Sequence, residues 1–151
     1  RKWMMGKGTV FADWLAEIES FAADNAEVQG FEKEMAMIKR AVDAYRQIQM
    51  AIGGFVGNGQ INMMPLYATR ILHATGELVC GQLLLEQALV AQKKIEELGA
   101  EHYDYAFYNG KVNAAKYFVR NIVPNIFRTL EVIKEADTSV LDIVEEAFLI
   151  Y

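Results

Sequence analysis

The chain contains little proline, little glycine and almost no cysteine. Its 151 residues include 2 prolines, 11 glycines and 1 cysteine, while apolar residues make up 53%. So few helix breakers favour long regular elements over a loop-rich fold, and a chain of this length can bury one core. A single cysteine excludes an internal disulfide, so the fold depends on packing and fits a reducing compartment such as the cytoplasm. The composition therefore predicts a globular domain, all-α in class.

A long apolar run and an excess of positive charge are also missing. No window reaches the run of about 18 apolar residues that a membrane span needs, and the N-terminus has no charged-then-apolar leader pattern. The net charge of −5 argues against a phosphate backbone as partner, because that requires clustered Lys and Arg. We therefore expect neither a membrane nor a nucleic-acid partner. The chain begins at Arg1 rather than methionine, which fits processing or a fragment of a longer protein.

Helical periodicity dominates the first third of the sequence. The first predicted helix starts near Thr9 and ends near Asn25, with apolar residues three and four positions apart. The second follows Gly30 and carries two neighbouring apolar stripes, which predicts two neighbouring elements. It should lose regularity at Gly53 and Gly54, because consecutive glycines weaken a helix.

The third predicted helix is the longest. Asn62 can cap it, and no breaker interrupts it from the first turn to Gly99. Apolar residues cover nearly half of its circumference, which is typical of a helix inside a bundle. Gly76 and Gly81 lie within it, and we expect both to permit close approach of a neighbouring backbone.

A fourth predicted helix contains a proline. Its apolar positions continue through Pro124, so the expected result is a bend, with both halves on the same partner. After it, the tail predicts one short helix beginning near Asp137 or Thr138 that covers an end of the bundle. With no linker or repeat in the chain, we predict a single domain over residues 1–151: an up-down bundle of four long antiparallel helices and a short C-terminal helix.

Few residues offer chemistry. His73 and His102 lack the Glu-x-x-His spacing of a di-metal bundle, and we interpret His73 as a surface or interface histidine. Cys80 has no histidine or helix N-terminus nearby, so we expect a buried, inert thiol. Glu77 and Glu86 lie deepest in the third helix, and the favoured interpretation is that they face solvent or pair with Lys or Arg, rather than act as bases.

Aromatic residues allow a further interpretation. At helical spacing they are more often core than ligand groove, and this holds for Phe107, Tyr108, Tyr117, Phe118 and Phe127. A small-ligand pocket inside the bundle, which would use these aromatics with Tyr45 and Tyr67, stays open as an alternative.

The order of residues in the fourth helix resembles a known family. The positions that carry the resemblance are Lys111, Ala115, the pair Tyr117 and Phe118, and Ile122-Val123-Pro124. They are similar to the lysine, alanine, aromatic pair and "LP" in the extra C-terminal helical domain of long bacterial acyl-CoA dehydrogenases. The third helix agrees at its small and leucine positions, which are Gly76, Gly81, Leu83, Leu84 and Ala88. Three departures stand out: Gln82 where the family often has tryptophan, Glu86 at an arginine position, and the reversed aromatic order.

This resemblance implies a flavoprotein oxidoreductase of fatty acid metabolism. In that family a carboxylate takes the α-proton of an acyl-CoA and FAD accepts a hydride, and both groups belong to a body upstream of Arg1. We therefore assign no catalytic, cofactor-binding or metal-ligating residue to this chain and expect it to be inactive alone, with no FAD bound. The implied partners are the rest of its polypeptide and a second subunit. A free-standing helical interaction module is the alternative.

Overall fold

The computed structural model describes residues 9–149, and these form helices joined by short loops, with no strand among them. The five α-helices are α1 Thr9–Asp24, α2 Glu32–Gly57, α3 Met63–Leu98, α4 Tyr105–Asn121 and α5 Asn125–Glu135. Two short 3-10 helices follow, Ser139–Asp142 and Glu145–Phe148. The all-α prediction is confirmed.

Cross-helix hydrogen bonds give the directions of the helices. Lys111 of α4 donates to Gln87 of α3, and Asn125 of α5 donates to Glu77 of α3, so α4 and α5 run antiparallel to α3. Arg120 contacts Glu34 of α2. Further along, Lys134 of α5 donates to Gln47 of α2. From the first pair to the second, the residue numbers increase on α2 and also on α4 and α5. Helix α2 therefore runs parallel to α4 and α5, as the up-down bundle predicts.

Helix α2 lies at the centre of the bundle and contacts each of the other four α-helices. Both of its predicted apolar stripes contribute to a single core, in which Met37 and Phe55 are only partly buried. Tyr45 is fully buried on α2, where Phe11 and Trp14 of α1 pack on its ring. Its hydroxyl lies 2.5 Å from Oγ1 of Thr75 on α3. A single side chain thus joins three helices. The predicted irregularity at Gly53 and Gly54 is wrong, because α2 continues unbroken to Gly57.

Pro124 breaks the fourth predicted helix instead of bending it. The N–H groups of Ile122 and Val123 both bond to the carbonyl of Phe118, which ends α4, and α5 begins at Asn125. Proline has no N–H for the Arg120 carbonyl, so the ladder cannot continue through it. Both halves still contact α2 and α3, because the apolar stripe persists across the break.

The two glycines of α3 differ. A Cβ at Gly81 would lie 3.0 Å from Cγ2 of Val123 and 3.1 Å from Cδ1 of Ile38, so Gly81 permits close packing as predicted. Gly76 is exposed and a Cβ there would have no neighbour within 4 Å. The expectation for Gly76 is therefore wrong within the part of the chain that the structure describes.

The tail after α5 does not form the expected α-helix. Its two 3-10 helices contain no buried residue, and its apolar side chains from Val140 to Leu149 are exposed rather than covering the bundle. Tyr67 of α3 donates to the carbonyl of Asp137 at 3.4 Å, which attaches the start of the tail. The amide N–H and hydroxyl of Ser139 bond to the Asp137 carboxylate and lower its pKa.

Candidate functional site

The two histidines have different surroundings. His73 is exposed on α3. His102 lies half-buried in the loop before α4, where its Nδ1 accepts the N–H of Asp104 at 3.2 Å and its ring packs on Tyr103. Residues 9–149 contain no group of three or more His, Cys, Asp or Glu side chains that could hold a metal ion. That this chain contributes no catalytic or ligand-binding residue stays a prediction.

Cys80 is exposed, so the expectation of a buried thiol is wrong. It lies on α3 away from the core residues Leu78 and Gly81. The physical reason is its angular position, since it lies two residues after Leu78 and therefore about 200° around the helix from that core residue.

The two glutamates of α3 have different surroundings. Glu77 is half-buried and accepts a hydrogen bond from Nδ2 of Asn125 at 3.1 Å; its burial raises its pKa. Glu86 is exposed and accepts one from Nε2 of Gln82. Within the described residues neither carboxylate accepts a hydrogen bond from Lys or Arg, and neither converges with another reactive group. The arrangement offers no base positioned against a substrate.

An ion pair with a buried carboxylate joins α2 to α4, and sequence reasoning missed it. Nε of Arg120 lies 2.5 Å from Oε1 of Glu34, whose side chain is 1% exposed. The second carboxylate oxygen is also buried and has no hydrogen-bond partner among the described residues. A signal was present in the sequence, because Glu34 lies three residues after Phe31 and four before Ile38, the spacing of residues on one side of a helix.

Cation–π contacts flank this ion pair along the same boundary. Nζ of Lys116 lies 4.7 Å from the ring centroid of Phe31, and Arg40 lies 4.9 Å from that of Phe127. Such contacts contribute about 0.5–2 kcal/mol each, depending on desolvation. They fix α4 and α5 to α2, so this polar boundary acts in packing.

The candidate aromatic residues of α4 and α5 are only partly in the core. Phe107 and Tyr117 are exposed, whereas Tyr108, Phe118 and Phe127 are half-buried against the core. The core interpretation is thus wrong for Phe107 and Tyr117. The other two candidates are packed: Tyr45 is enclosed by rings and a hydroxyl, and Tyr67 is buried.

Phe107 borders a shallow groove between α3 and α4 of about 350 Å³. Its floor is apolar, and Lys111 at its rim lies 5.6 Å from the Phe107 ring centroid and donates to Gln87. The lining residues are Glu86, Gln87, Val90, Ala91, Phe107, Tyr108 and Lys111. The groove can accept an apolar side chain.

Helix α3 has apolar residues on two opposite sides. The inner side is buried in the bundle and includes Tyr67, Ala74, Leu78, Gly81, Leu85 and Ala88. The opposite side, which we call the outer face, consists of Ala68, Leu72, Gly76, Val79, Leu83 and Val90. Leu72 is 68% exposed, Leu83 48% and Val90 61%. Val90 also lines the groove beside Phe107, so the outer face runs into that groove.

No helix within residues 9–149 combines the length and the apolar character that crossing a bilayer requires.

Comparisons with known proteins place this fold in a family. Residues 14–144 match the family described as acetyl-CoA dehydrogenase C-terminal like. Two butyryl-CoA dehydrogenases of Syntrophomonas wolfei are 42% and 44% identical over 149 and 150 residues, in each case 99% of this chain but 24% of the relative. The broad-specificity linear acyl-CoA dehydrogenase FadE5 of Mycobacterium tuberculosis is 30% identical over 153 residues, which is 98% of this chain and 25% of that relative. The chain spans about a quarter of the length of these relatives, and it belongs to the acetyl-CoA dehydrogenase C-terminal like family.

Proposed function

We propose that this chain is the C-terminal accessory bundle of a longer FAD-dependent acyl-CoA dehydrogenase, in which it has a packing role. The observation that carries the proposal is the match over nearly the whole chain to dehydrogenases that are about four times longer. The parent enzyme oxidises an acyl-CoA to a 2-enoyl-CoA, by loss of a proton from the α carbon and a hydride from the β carbon. This bundle supplies no group to that reaction, and the parent acts in the cytoplasm as a homo-oligomer.

The described residues do not fit FAD by themselves. A flavin dinucleotide requires a slot with several convergent hydrogen-bond donors for its ring and pyrophosphate. The groove beside Phe107 is shallow and apolar, and the side-chain donors among its lining residues are limited to Gln87, Tyr108 and Lys111. We therefore assign the flavin and the catalytic base to the rest of the polypeptide.

The bundle is suited to a scaffold role because its polar contacts connect helices to each other. The Glu34–Arg120 pair joins α2 to α4, and the pair between Arg46 and Glu19 at 2.6 Å joins α2 to α1. These groups are already engaged within the fold, so they are not available to a reaction.

Flavin titration tests the proposal. The complete polypeptide is expected to bind FAD stoichiometrically, and butyryl-CoA is expected to bleach its flavin absorbance. The chain of residues 1–151, titrated under the same conditions, is expected to leave FAD fluorescence unchanged. Stoichiometric FAD binding by residues 1–151 would contradict the proposal, as would a complete polypeptide that neither binds flavin nor oxidises an acyl-CoA.

A further inference from the structure

The outer face of α3 is an apolar surface that residues 9–149 leave largely exposed, with Val79 half-buried. It extends over the 23 residues from Ala68 to Val90, which is roughly 33 Å of helix. Its six residues are uncharged, although the exposed Glu86 lies at its edge between Leu83 and Val90, and Leu72 and Val90 are each more than half exposed. A helix that is apolar on opposite sides is normally buried on both. The bundle accounts for one side of α3 only.

Gly76 supports the same reading independently. A glycine inside a helix costs about 1 kcal/mol relative to alanine. At Gly81 that cost has a use, because Val123 and Ile38 pack within 3.1 Å of the missing Cβ. Gly76 lies five residues earlier, near the middle of the outer face, and has no neighbour within 4 Å. A neighbour outside the described chain could pack closely against Gly76, as Val123 and Ile38 pack against Gly81.

We propose that the outer face of α3 docks against the upstream part of the same polypeptide, with an apolar helix crossing closely at Gly76. The inference rests on the proposed function, because it requires the longer chain. The relatives carry about three quarters of their length outside the region that matches. A tethered partner has an effective concentration in the millimolar range, so it occupies an apolar face before a separate molecule does. The groove between Val90 and Phe107 receives one apolar side chain of that partner.

Hydroxyl-radical footprinting of the complete polypeptide, read by peptide mass spectrometry, tests the docking. Leucines within one protein serve as matched standards, since they share the same intrinsic reactivity. In this chain Leu72 and Leu83 are 68% and 48% exposed, Leu98 is 39% exposed and Leu78 is fully buried. Docking covers Leu72 and Leu83 and makes them less exposed than Leu98. We therefore expect Leu72 and Leu83 to be modified at least threefold more slowly than Leu98. Modification of Leu72 faster than Leu98 overturns the inference.

Dilution distinguishes two possible occupants of the outer face, the upstream part of the same chain and a second copy of the protein. Footprinting is repeated at concentrations where mass photometry shows single subunits. Protection of Leu72 and Leu83 that persists in single subunits supports docking within one chain. Protection that disappears on dissociation assigns the face to a subunit interface and overturns the proposal.

A charge substitution provides the second measurement. Leu72→Glu places a carboxylate on the outer face, and Met50→Glu is its control because Met50 on α2 is also 68% exposed. In the complete polypeptide we expect Leu72→Glu to raise the rate of proteolytic release of the bundle at least tenfold and Met50→Glu to leave it unchanged. Equal rates for the two variants contradict the docking. Flavin binding and acyl-CoA oxidation are read separately, so failure of the proposed function is distinguishable from failure of the docking.

Discussion

At the scale of single residues, the polar side chains of this fold stabilise helix contacts and do not form a reactive cluster in the described region. Glu34 is the clearest case. Its carboxylate is buried and is paired with the guanidinium of Arg120, whose side chain is 52% exposed. A buried charge without its partner is costly, whereas an apolar pair of similar volume is often neutral.

Arg120→Met is expected to lower the free energy of unfolding by about 1–3 kcal/mol, because it leaves the Glu34 carboxylate buried and unpaired. The double variant Glu34→Met/Arg120→Met should recover most of that loss. Urea unfolding measures both. Arg128→Met removes an exposed arginine of α5 and serves as control, with a change within about 0.5 kcal/mol. If Arg120→Met and Arg128→Met unfold alike, the ion pair does not stabilise the fold.

Glu77→Gln is expected to stabilise the protein near neutral pH. Burial raises the pKa of Glu77, so the folded state binds its proton more tightly than the unfolded state. That contribution to stability is complete below the unfolded pKa of about 4.3 and is lost as pH rises through the folded value. The variant should therefore be more stable than the wild type above the raised folded pKa of Glu77 and should match it well below the unfolded pKa. Thermal unfolding across pH checks this, with Glu86→Gln as the exposed control, and a difference that does not change with pH would contradict it.

At the scale of elements, the helices lie where the spacing of apolar residues predicts them, except at the proline that interrupts the backbone hydrogen bonds. The spacing of apolar residues predicts the four long segments because burial drives their formation. At Pro124 the same spacing predicts continuity, yet the missing N–H ends α4 at Asn121. Periodicity reports which side of a segment is buried and contains no information on whether its backbone is continuous.

Pro124→Ala is expected to destabilise the fold by about 0.5–1 kcal/mol. Proline here has φ −58, which its ring prefers, so it restricts the unfolded chain without strain in the folded one. The break should persist, since Val123 and Ile126 on either side are fully buried. Equilibrium unfolding gives the free energy, and an increase in stability on substitution would indicate that the break is strained.

The two glycines of α3 give a paired prediction for the isolated chain. Gly81→Leu should cost about 1–3 kcal/mol, because Val123 and Ile38 occupy the space that the side chain needs. Gly76→Leu should be neutral or stabilise by up to about 1 kcal/mol, because its site is open. Chemical denaturation of both variants checks the order. Equal costs would mean that the two sites are equally packed.

Sequence reasoning treated these glycines alike for a physical reason. Gly76 and Gly81 lie in one helix and both interrupt an apolar pattern, but which side contacts the bundle depends on tertiary packing. Cys80 was misjudged for the same reason, since its neighbours in sequence are apolar whether it points inward or outward. The candidate site itself, an apolar face opposite the core, was visible only as an excess of apolar surface on α3.

At the scale of the whole molecule, α2 connects the parts and the tail lies outside the core. Each of the other four α-helices contacts α2, whereas the segment from Thr138 to Leu149 contains no buried residue. The match to the family also ends within this tail, at residue 144. The core therefore closes before the tail begins.

Truncation after Ala136 is expected to lower the free energy of unfolding by less than about 1.5 kcal/mol. It removes exposed apolar residues and one hydrogen bond, from Tyr67 to the carbonyl of Asp137. Thermal unfolding of residues 1–136 compared with 1–151 measures the effect. Loss of cooperative unfolding in the shorter chain would show that the tail completes the core.

The position of Cys80 has a practical consequence. It is the chain's single cysteine, it is exposed, and it lies one turn from Gly76 on α3. A maleimide dye or a nitroxide coupled to this thiol would sit at the margin of the apolar strip without any engineered change to the protein. Its emission colour or line shape would then report on whatever surface approaches that side of the molecule.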